Sequence, residues 1–275
     1  MWTLSGFADE IDPDLQVQCE TLNGLGIGYL EFRSAWGTNV LDLDDERLEA
    51  ARRILAAQHL AVSSVGSPIG KIAITADFEP HLVRFERALH VARVLGAPYI
   101  RLFSFFMPKG QEPARYRDEV LARMAALASA AKGHDVVLLH ENEKNIYGDN
   151  PQRCQDIVES VGSPQLRLLW DPANFVQCGV RPFTDGYAGL RPYLDYLHIK
   201  DAVMDTGGVV PAGEGDGELS ATLAALAADG FDGFFSMEPH LGATGTMGGF
   251  SGTDLFEAAT RAFTQMLDAQ GVTYG

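Results

Sequence analysis

The sequence has few cysteines, and their arrangement excludes a disulfide-stabilised fold. Cys19, Cys154 and Cys178 are odd in number and widely spaced, and no CxxC pair occurs in the 275 residues. Such thiols are typical of a reducing compartment, and they offer no cysteine-based zinc site. We therefore expect a cytoplasmic protein.

Basic residues and long apolar runs are also scarce. The chain has 37 acidic and 21 basic residues, a net charge of −16 that repels phosphate backbones and anionic membranes. No apolar run is long enough to cross a bilayer, and the opening "MWTLSGFADEIDPD" lacks the basic and apolar regions of a signal peptide. We expect no nucleic-acid partner and no membrane partner.

What the chain does contain is a regular alternation of short apolar runs with stretches of helical periodicity. Strands are predicted over residues 4–8, 29–33, 61–67, 99–104, 136–142, 166–172, 196–201 and 234–240. Helices are predicted over 14–26, 44–58, 81–96 and 114–133, and on weaker signals over 151–161, 184–194, 218–229 and 253–270. Eight strand–helix units without a linker predict an α/β fold, a single (β/α)8 TIM barrel domain over residues 1–275. An open doubly wound sheet would also alternate, but no GxGxxG follows the first strand.

Ionisable side chains stand at the ends of four successive predicted strands. They are Glu141, Asp171, His198 and Glu238. Singly, such residues are more typical of helix caps, turns or structural histidines. Because the carboxyl ends of barrel strands face one pocket, the four together predict a site for one divalent metal ion. Three carboxylates and one imidazole suit Mn²⁺ or Mg²⁺, with Zn²⁺ and Co²⁺ left open.

Residues near these positions form a candidate substrate-binding set. Side chains alternate across a strand, so Glu143, Lys200 and His240 are expected on the same side as the neighbouring ligands. Lys71 after the third strand, Asn174 in "WDPANF" and Glu214 in "PAGEGDGELS" complete the set. Their alternatives are an exposed lysine for Lys71 and a plain turn for Glu214.

Three further stretches carry weaker expectations. The acids of "PAGEGDGELS" would repel a phosphate, and they favour an unphosphorylated substrate. Glu31 and Arg33, at the end of the second strand, are expected to pair with each other or to line the mouth of the pocket. The glycine-rich stretch 241–252 is interpreted as a lid.

The stretches "SPIGK", "HENEKNIYGD", "WDPANF", "HIKD", "PAGEGDGE" and "FSMEPHL", in this order, resemble the sugar phosphate isomerase/epimerase family of xylose isomerase-like barrels. The resemblance implies one divalent ion held by Glu141, Asp171, His198 and Glu238. It also implies that Glu141 and Glu238 move protons. The implied function is a metal-dependent isomerase or epimerase of a sugar, keto-sugar or polyol, acting through a metal-stabilised enediolate.

Other functions stay open at this point. A dehydratase or lyase on a keto-polyol, such as an inosose or dehydroshikimate, would use the same site. A Schiff-base aldolase with Lys200 as nucleophile would need an apolar pocket. An apurinic-site endonuclease would need more histidines and a less acidic chain, and a non-catalytic sugar-binding or regulatory protein is the fourth alternative. We expect a small-molecule sugar or polyol as substrate and a homodimer as the assembly.

Overall fold

The computed structural model describes residues 1–242 and 249–275. Eight parallel strands close into a barrel in which each strand pairs with the next along the chain and the eighth pairs with the first. The strands are β1 Thr3–Gly6, β2 Tyr29–Phe32, β3 Ala61–Val65, β4 Tyr99–Leu102, β5 Val137–Glu141, β6 Leu166–Trp170, β7 Leu194–Ile199 and β8 Phe234–Met237. The predicted (β/α)8 TIM barrel is confirmed.

Helices follow the strands, and polar caps and glycines set their ends. They are α1 Leu15–Gly24, α2 Asp45–Ala57, α3 Glu79–Leu95, α4 Arg117–Ala130, α5 Pro151–Val161, α6 Pro172–Gln177, α7 Leu219–Ala228 and α8 Thr253–Ala269. Asp14 and Asp44 accept hydrogen bonds from the first-turn N–H groups of α1 and α2. Gly96 and Gly162, both with positive φ, follow the last residues of α3 and α5.

The structure departs from the predicted elements mainly in the segments that surround the pocket. The predicted helix 184–194 is an irregular series of π, α and 3-10 turns over 183–193. The short helix α6, which begins at Pro172, is not predicted from the sequence. The predicted strands at 61–67 and 234–240 end earlier, because their last residues leave the sheet to form loops at the barrel mouth.

The interior of the barrel changes from apolar to charged along its axis. Leu139, Leu169 and Tyr196 form a buried cluster with Tyr99 and Phe234 packed against it. Three of these residues precede Glu141, Asp171 and His198 by two positions, so the alternation of side chains places the charged layer next towards the carboxyl ends of the strands. The barrel thus supports the candidate ligands on a packed floor.

Within the described ranges, no helix is both long and apolar enough to cross a membrane. Half of the predicted lid, residues 243–248 of 241–252, lies outside the described residues.

Candidate metal and substrate site

The four predicted metal ligands converge at the carboxyl end of the barrel. Glu141 ends β5, Asp171 follows β6, His198 lies in β7 and Glu238 follows β8. All four side chains are buried, and each offers one ligand atom within 4.8 Å of the others. The structure therefore brings together, from four strands, the donor atoms that the sequence predicts as one site.

Two asparagines hold Asp171 and Glu141 in place, Asn142 through the backbone of Asp171 and Asn174 through both carboxylates. Oδ1 of Asp171 accepts a 2.8 Å hydrogen bond from the Asn174 N–H and so caps α6. The Asn142 amide accepts from the Asp171 N–H at 2.9 Å and donates to the Asp171 carbonyl at 2.8 Å. Nδ2 of Asn174 donates to Glu141 Oε1 at 3.1 Å. This arrangement leaves Oδ2 of Asp171 directed towards the other ligands. Sequence reasoning missed Asn142.

His198 is oriented by a carboxylate on the far side of its ring. Nε2 lies 3.2 Å from Oε2 of Glu31, whereas Nδ1 faces Glu238 at 3.2 Å, Glu141 at 3.5 Å and Asp171 at 3.6 Å. Nδ1 has no hydrogen-bond partner among the described residues. This buried imidazole nitrogen has no hydrogen bond to that part of the chain and faces three carboxylates. Together these four groups form a set of metal-binding atoms that fits a divalent cation. Glu31 therefore pairs with His198 and not, as one of the two expectations had it, with Arg33.

Lys200 carries a protonated ammonium group in the same cluster. Its Nζ lies 2.7 Å from Asp171 Oδ2 and 2.9 Å from Glu238 Oε2. Burial disfavours the charged form, but these carboxylates outweigh burial and raise the pKa of Lys200 well above its usual value. A lysine held in this state is a hydrogen-bond donor rather than a Schiff-base nucleophile, which must be neutral to react.

Arg101 links the two glutamates, and the sequence analysis did not identify it. Its Nη1 lies 3.2 Å from Glu141 Oε2 and 3.8 Å from Glu238 Oε1. Burial acts to raise the pKa of Glu141. The charges of His198 and Arg101 outweigh burial and lower this pKa to about 2. Burial likewise opposes ionisation of Glu238, yet Lys200, His240 and His198 hold its pKa well below the usual value. Both glutamates are therefore ionised at neutral pH. The signal in the sequence that could have identified Arg101 is its position as a charged residue inside the apolar run "YIRLFS".

A cavity of about 410 Å³ opens above this cluster. Five of the six predicted substrate-binding residues line it: Lys71, Glu143, Asn174, Lys200 and His240. Lys144 and Gln177 also line it, and neither was singled out from the sequence. The sixth predicted residue, Glu214, is exposed and does not belong to the lining.

Buried Glu10 ties the end of β8 to the start of α8. Its Oε2 accepts 2.9 Å hydrogen bonds from the His240 N–H and the Ser251 hydroxyl. Its backbone carbonyl accepts from the N–H groups of Ser251 and Gly252 at 2.9 and 2.8 Å. Nε2 of His240 lies 3.2 Å from Glu10 Oε1 and 3.4 Å from Glu238 Oε1. Glu10 therefore fixes His240 beside the candidate ligand Glu238. It also binds the chain on both sides of residues 243–248.

The glycines of "PAGEGDGELS" surround a carboxylate of the chain itself. Asp201 Oδ2 accepts from the N–H groups of Gly213 and Gly215 at 3.0 and 3.1 Å. Its Oδ1 accepts from Gly217 and Ala202, both at 2.8 Å. Asp201 is fully buried. The converging glycine N–H groups of the loop therefore bind a fixed carboxylate, and these hydrogen bonds hold the loop to the barrel mouth. The expectation that Glu214 contacts substrate has no support in this geometry, because its side chain points to solvent.

Comparison with known proteins agrees with the barrel fold. The family described as "Xylose isomerase-like TIM barrel" matches residues 19–266. The chain belongs to this family. The resemblance found in the sequence is thereby confirmed, and this xylose isomerase-like barrel shares its fold with enzymes of several activities.

Two curated relatives of this xylose isomerase-like chain are enzymes. The 2-epi-5-epi-valiolone 7-phosphate 2-epimerase of Actinoplanes sp. is 33% identical over 165 residues, 58% of this chain and 57% of that protein. The 3-dehydroshikimate dehydratase of Bacillus anthracis is 22% identical over 169 residues, 60% of each chain. The chain thus matches somewhat more than half the length of each relative.

A solved structure matches the xylose isomerase-like fold along nearly the whole chain. The xylose isomerase-like TIM barrel protein from Mycobacterium smegmatis, in complex with magnesium, superposes with a TM-score of 0.72. Its sequence identity is 20%, and the match covers 98% of this chain and 97% of that one. At this identity the similarity establishes the fold.

Proposed function

We propose that the protein is a divalent-metal-dependent epimerase or isomerase of a keto-sugar or polyol. The observation that carries the proposal is the convergence of Glu141, Asp171, His198 and Glu238 in one buried cluster at the barrel mouth. Two members of the cluster are glutamates on strands separated by two others. The epimerase among the relatives supports the same class of reaction.

These four residues would hold the ion, and the hard oxygen donors favour Mn²⁺ or Mg²⁺. When bound, the ion would polarise the substrate carbonyl and offset the negative charge that develops on its oxygen. The other tasks fall to the side chains around it. Asn174, Lys200 and His240 line the cavity and are suited to binding substrate hydroxyls.

The two glutamates would divide the proton transfer between them. Glu141 and Glu238 extend from β5 and β8, so they can approach a substrate from different sides. Removal of the proton next to the carbonyl by one, and return by the other to the opposite face, would invert that carbon. Return to the adjacent carbon, together with transfer of the hydroxyl proton from one oxygen to the other, would interconvert an aldose and a ketose. Arg101, near both carboxylates, would hold the pair in position.

A dehydratase is the second candidate, and Lys200 is the observation that favours it. Its ammonium lies 2.9 Å from Glu238 Oε2, so an acid stands beside a base. Lys200 could donate a proton to a departing β-hydroxyl while Glu238 or Glu141 removes the α-proton. The dehydratase among the relatives supports this alternative. Formation of a conjugated enone, measured by its ultraviolet absorbance, would distinguish the two outcomes.

The test combines elemental analysis with Glu141→Gln and Glu238→Gln. We expect about one divalent ion per chain, and exchange of the substrate α-proton with deuterium from solvent in a ketose and inosose panel. Each substitution should lower that exchange by roughly 10²–10⁴-fold, the usual contribution of a general acid or base. Glu46→Gln, at an exposed position of α2, is the matched control. No bound metal after reconstitution with Mn²⁺ would refute the proposal.

We further propose that the protein acts in the cytoplasm on a small-molecule substrate, as its three free thiols suggest. The single-domain extent 1–275 and the homodimer stay predictions from the sequence.

A further inference from the structure

We infer that the substrate carries an anionic group, a phosphate or a carboxylate, at the end remote from the reacting carbonyl, and that Lys144 binds this group. The inference rests on the proposed function, because it specifies the substrate of the same site. It depends on the charges that line the cavity and on the contacts that hold Lys144.

The lining of the cavity reverses the charge balance of the chain. The whole sequence has 37 acidic against 21 basic residues, whereas three lysines and one glutamate line the cavity. Lys200 lies at the floor, where Asp171 and Glu238 neutralise it. Lys71 lies 3.3 Å from Glu143 Oε2.

Lys144 is the lysine of this lining without an acidic partner. No carboxylate of residues 1–242 or 249–275 lies within ion-pair distance of its Nζ, which instead contacts an amide oxygen. The remaining six residues, 243–248, include no acidic residue. The rim of the cavity therefore presents an ammonium charge that the protein itself does not neutralise.

Lys144 is nevertheless held in place. Its Nζ donates a 2.8 Å hydrogen bond to Gln177 Oε1, and Gln177 Nε2 donates to the Gly207 carbonyl at 3.0 Å. Gln177 is itself part of the cavity lining. An ammonium group has three N–H donors, so two are left for a ligand. A positioned charge with free donors is what recognition of a phosphate or carboxylate oxygen requires.

The position of Lys144 identifies which end of the substrate carries the charge. The carbonyl must lie at the floor, beside Glu141 and Glu238, while Lys144 lies at the exposed rim. The cavity of about 410 Å³ lies within the usual range of small-molecule sites, roughly 300–1,000 Å³. A sugar or cyclitol seated at the floor would therefore extend its far end towards Lys144 and Lys71.

The acidic loop that favoured an unphosphorylated substrate does not face this cavity. Glu214 and Asp216 are exposed, and neither belongs to the lining. Asp216 Oδ2 accepts a hydrogen bond from the Met204 N–H at 2.7 Å. These carboxylates therefore do not oppose an anionic substrate end at Lys144.

The experiment compares matched substrates in Lys144→Met, which retains most of the aliphatic stem, and in Lys132→Met, an exposed lysine outside the lining. Mn²⁺-loaded protein is given D-ribulose or D-ribulose 5-phosphate, and D-fructose, D-fructose 6-phosphate or D-fructuronate. Solvent deuterium exchange at the α-carbon is the readout. We expect the wild type to prefer the anionic members. Lys144→Met should reduce that preference roughly tenfold or more, mainly through KM, whereas Lys144→Arg and Lys132→Met should preserve it.

The separate arms identify the source of the charge and separate this inference from the proposed function. A preference for the sugar phosphates indicates a phosphate end, and a preference for fructuronate indicates a carboxylate end. Equal exchange of neutral and anionic members, or an equal loss in both with Lys144→Met, would overturn the inference.

Calorimetric titration with orthophosphate gives a readout that does not depend on turnover. Binding that Lys144→Met weakens and Lys132→Met leaves unchanged supports the anion site even if no ketose exchanges, in which case the proposed function fails alone. Orthophosphate binding that is absent, or insensitive to Lys144→Met, together with no anionic preference, overturns the inference.

Discussion

Asp171 and Asp201 occupy similar places in the barrel but have different roles. Each follows the carboxyl end of a strand, β6 for Asp171 and β7 for Asp201, and each is fully buried. Asp201 accepts four backbone N–H bonds that occupy both of its oxygens. Asp171 accepts one backbone N–H, on Oδ1. Its Oδ2 faces Lys200 and the other ligands.

The difference shows how one residue type can be structural at one strand end and a candidate ligand at the next. A carboxylate whose oxygens are filled by backbone donors organises a loop and has little capacity left for a ligand. A carboxylate with one oxygen left over, among three other donor groups, can bind a cation. The number of N–H donors around each carboxylate decides between the two roles, more than burial or position.

The most severe test exchanges each aspartate for asparagine. Asp171→Asn keeps an Oδ1 acceptor for the α6 cap but removes the charged oxygen. We therefore expect bound metal and turnover to fall by more than 100-fold. Loss of a group that only hydrogen-bonds to a metal ligand typically costs roughly 10- to 100-fold. Asp201→Asn is the control. It should retain the metal, while the free energy of unfolding falls by about 2–3 kcal/mol, because an amide faces N–H donors. Elemental analysis and urea unfolding measure both effects, and the opposite pattern would reverse the assignment.

A smaller effect is expected at Glu31, which contacts the candidate ligand His198 from the side away from the other three candidate ligands. Glu31→Gln preserves the size of the side chain but removes the charge that lies 3.2 Å from His198 Nε2. We expect metal affinity to fall roughly 10- to 100-fold, as is typical for outer partners of a ligating histidine. Competition with a chelator measures the affinity. Unchanged affinity would mean that the Glu31 charge has no part in orienting His198.

The smallest effect tests the Asp201 side of the comparison alone. A Cβ at position 215 would lie 2.4 Å from Asp201 Oδ1 and 2.5 Å from the Ala202 carbonyl. Gly215→Ala should therefore cost about 1–3 kcal/mol of unfolding free energy and leave the metal content unchanged. Gly28→Ala is the control, because a Cβ there meets no described atom within 4 Å and the glycine has no positive φ. Equal stability of the two variants would show that the loop shifts without cost.

The strands and the convergence of the four candidate ligands could be predicted because both follow from local patterns. Apolar runs identify the eight strands, and the candidate ligands are the ionisable residues at the ends of four of them. Alternation of side chains then places Lys200 and His240 correctly in the cavity lining. These inferences need only the period of a strand and the rule that barrel strand ends share one pocket.

The partners of the ligands could not be predicted, because they come from strands across the barrel. Glu31 and His198 are separated by 167 positions, and nothing in β2 or β7 indicates that their side chains meet. Arg101, on β4, lies beside Glu141 of the neighbouring strand β5, but it also approaches Glu238, which follows β8 on the opposite side of the barrel. The glycines of 213–217 do indicate converging N–H groups. The sequence does not reveal that the anion they bind is Asp201.

The contacts of Glu10 separate the barrel from the segment that follows β8. The carboxylate and carbonyl of this one residue bind the backbone at His240, Ser251 and Gly252, and the Gly242 N–H donates to the Phe250 carbonyl at 2.8 Å. The two ends of this segment are therefore held next to each other by Glu10. Insertions or grafted sequences between these points need not disturb the pairing of β1 with β8. The sequence between these anchored points can thus vary independently of the barrel scaffold.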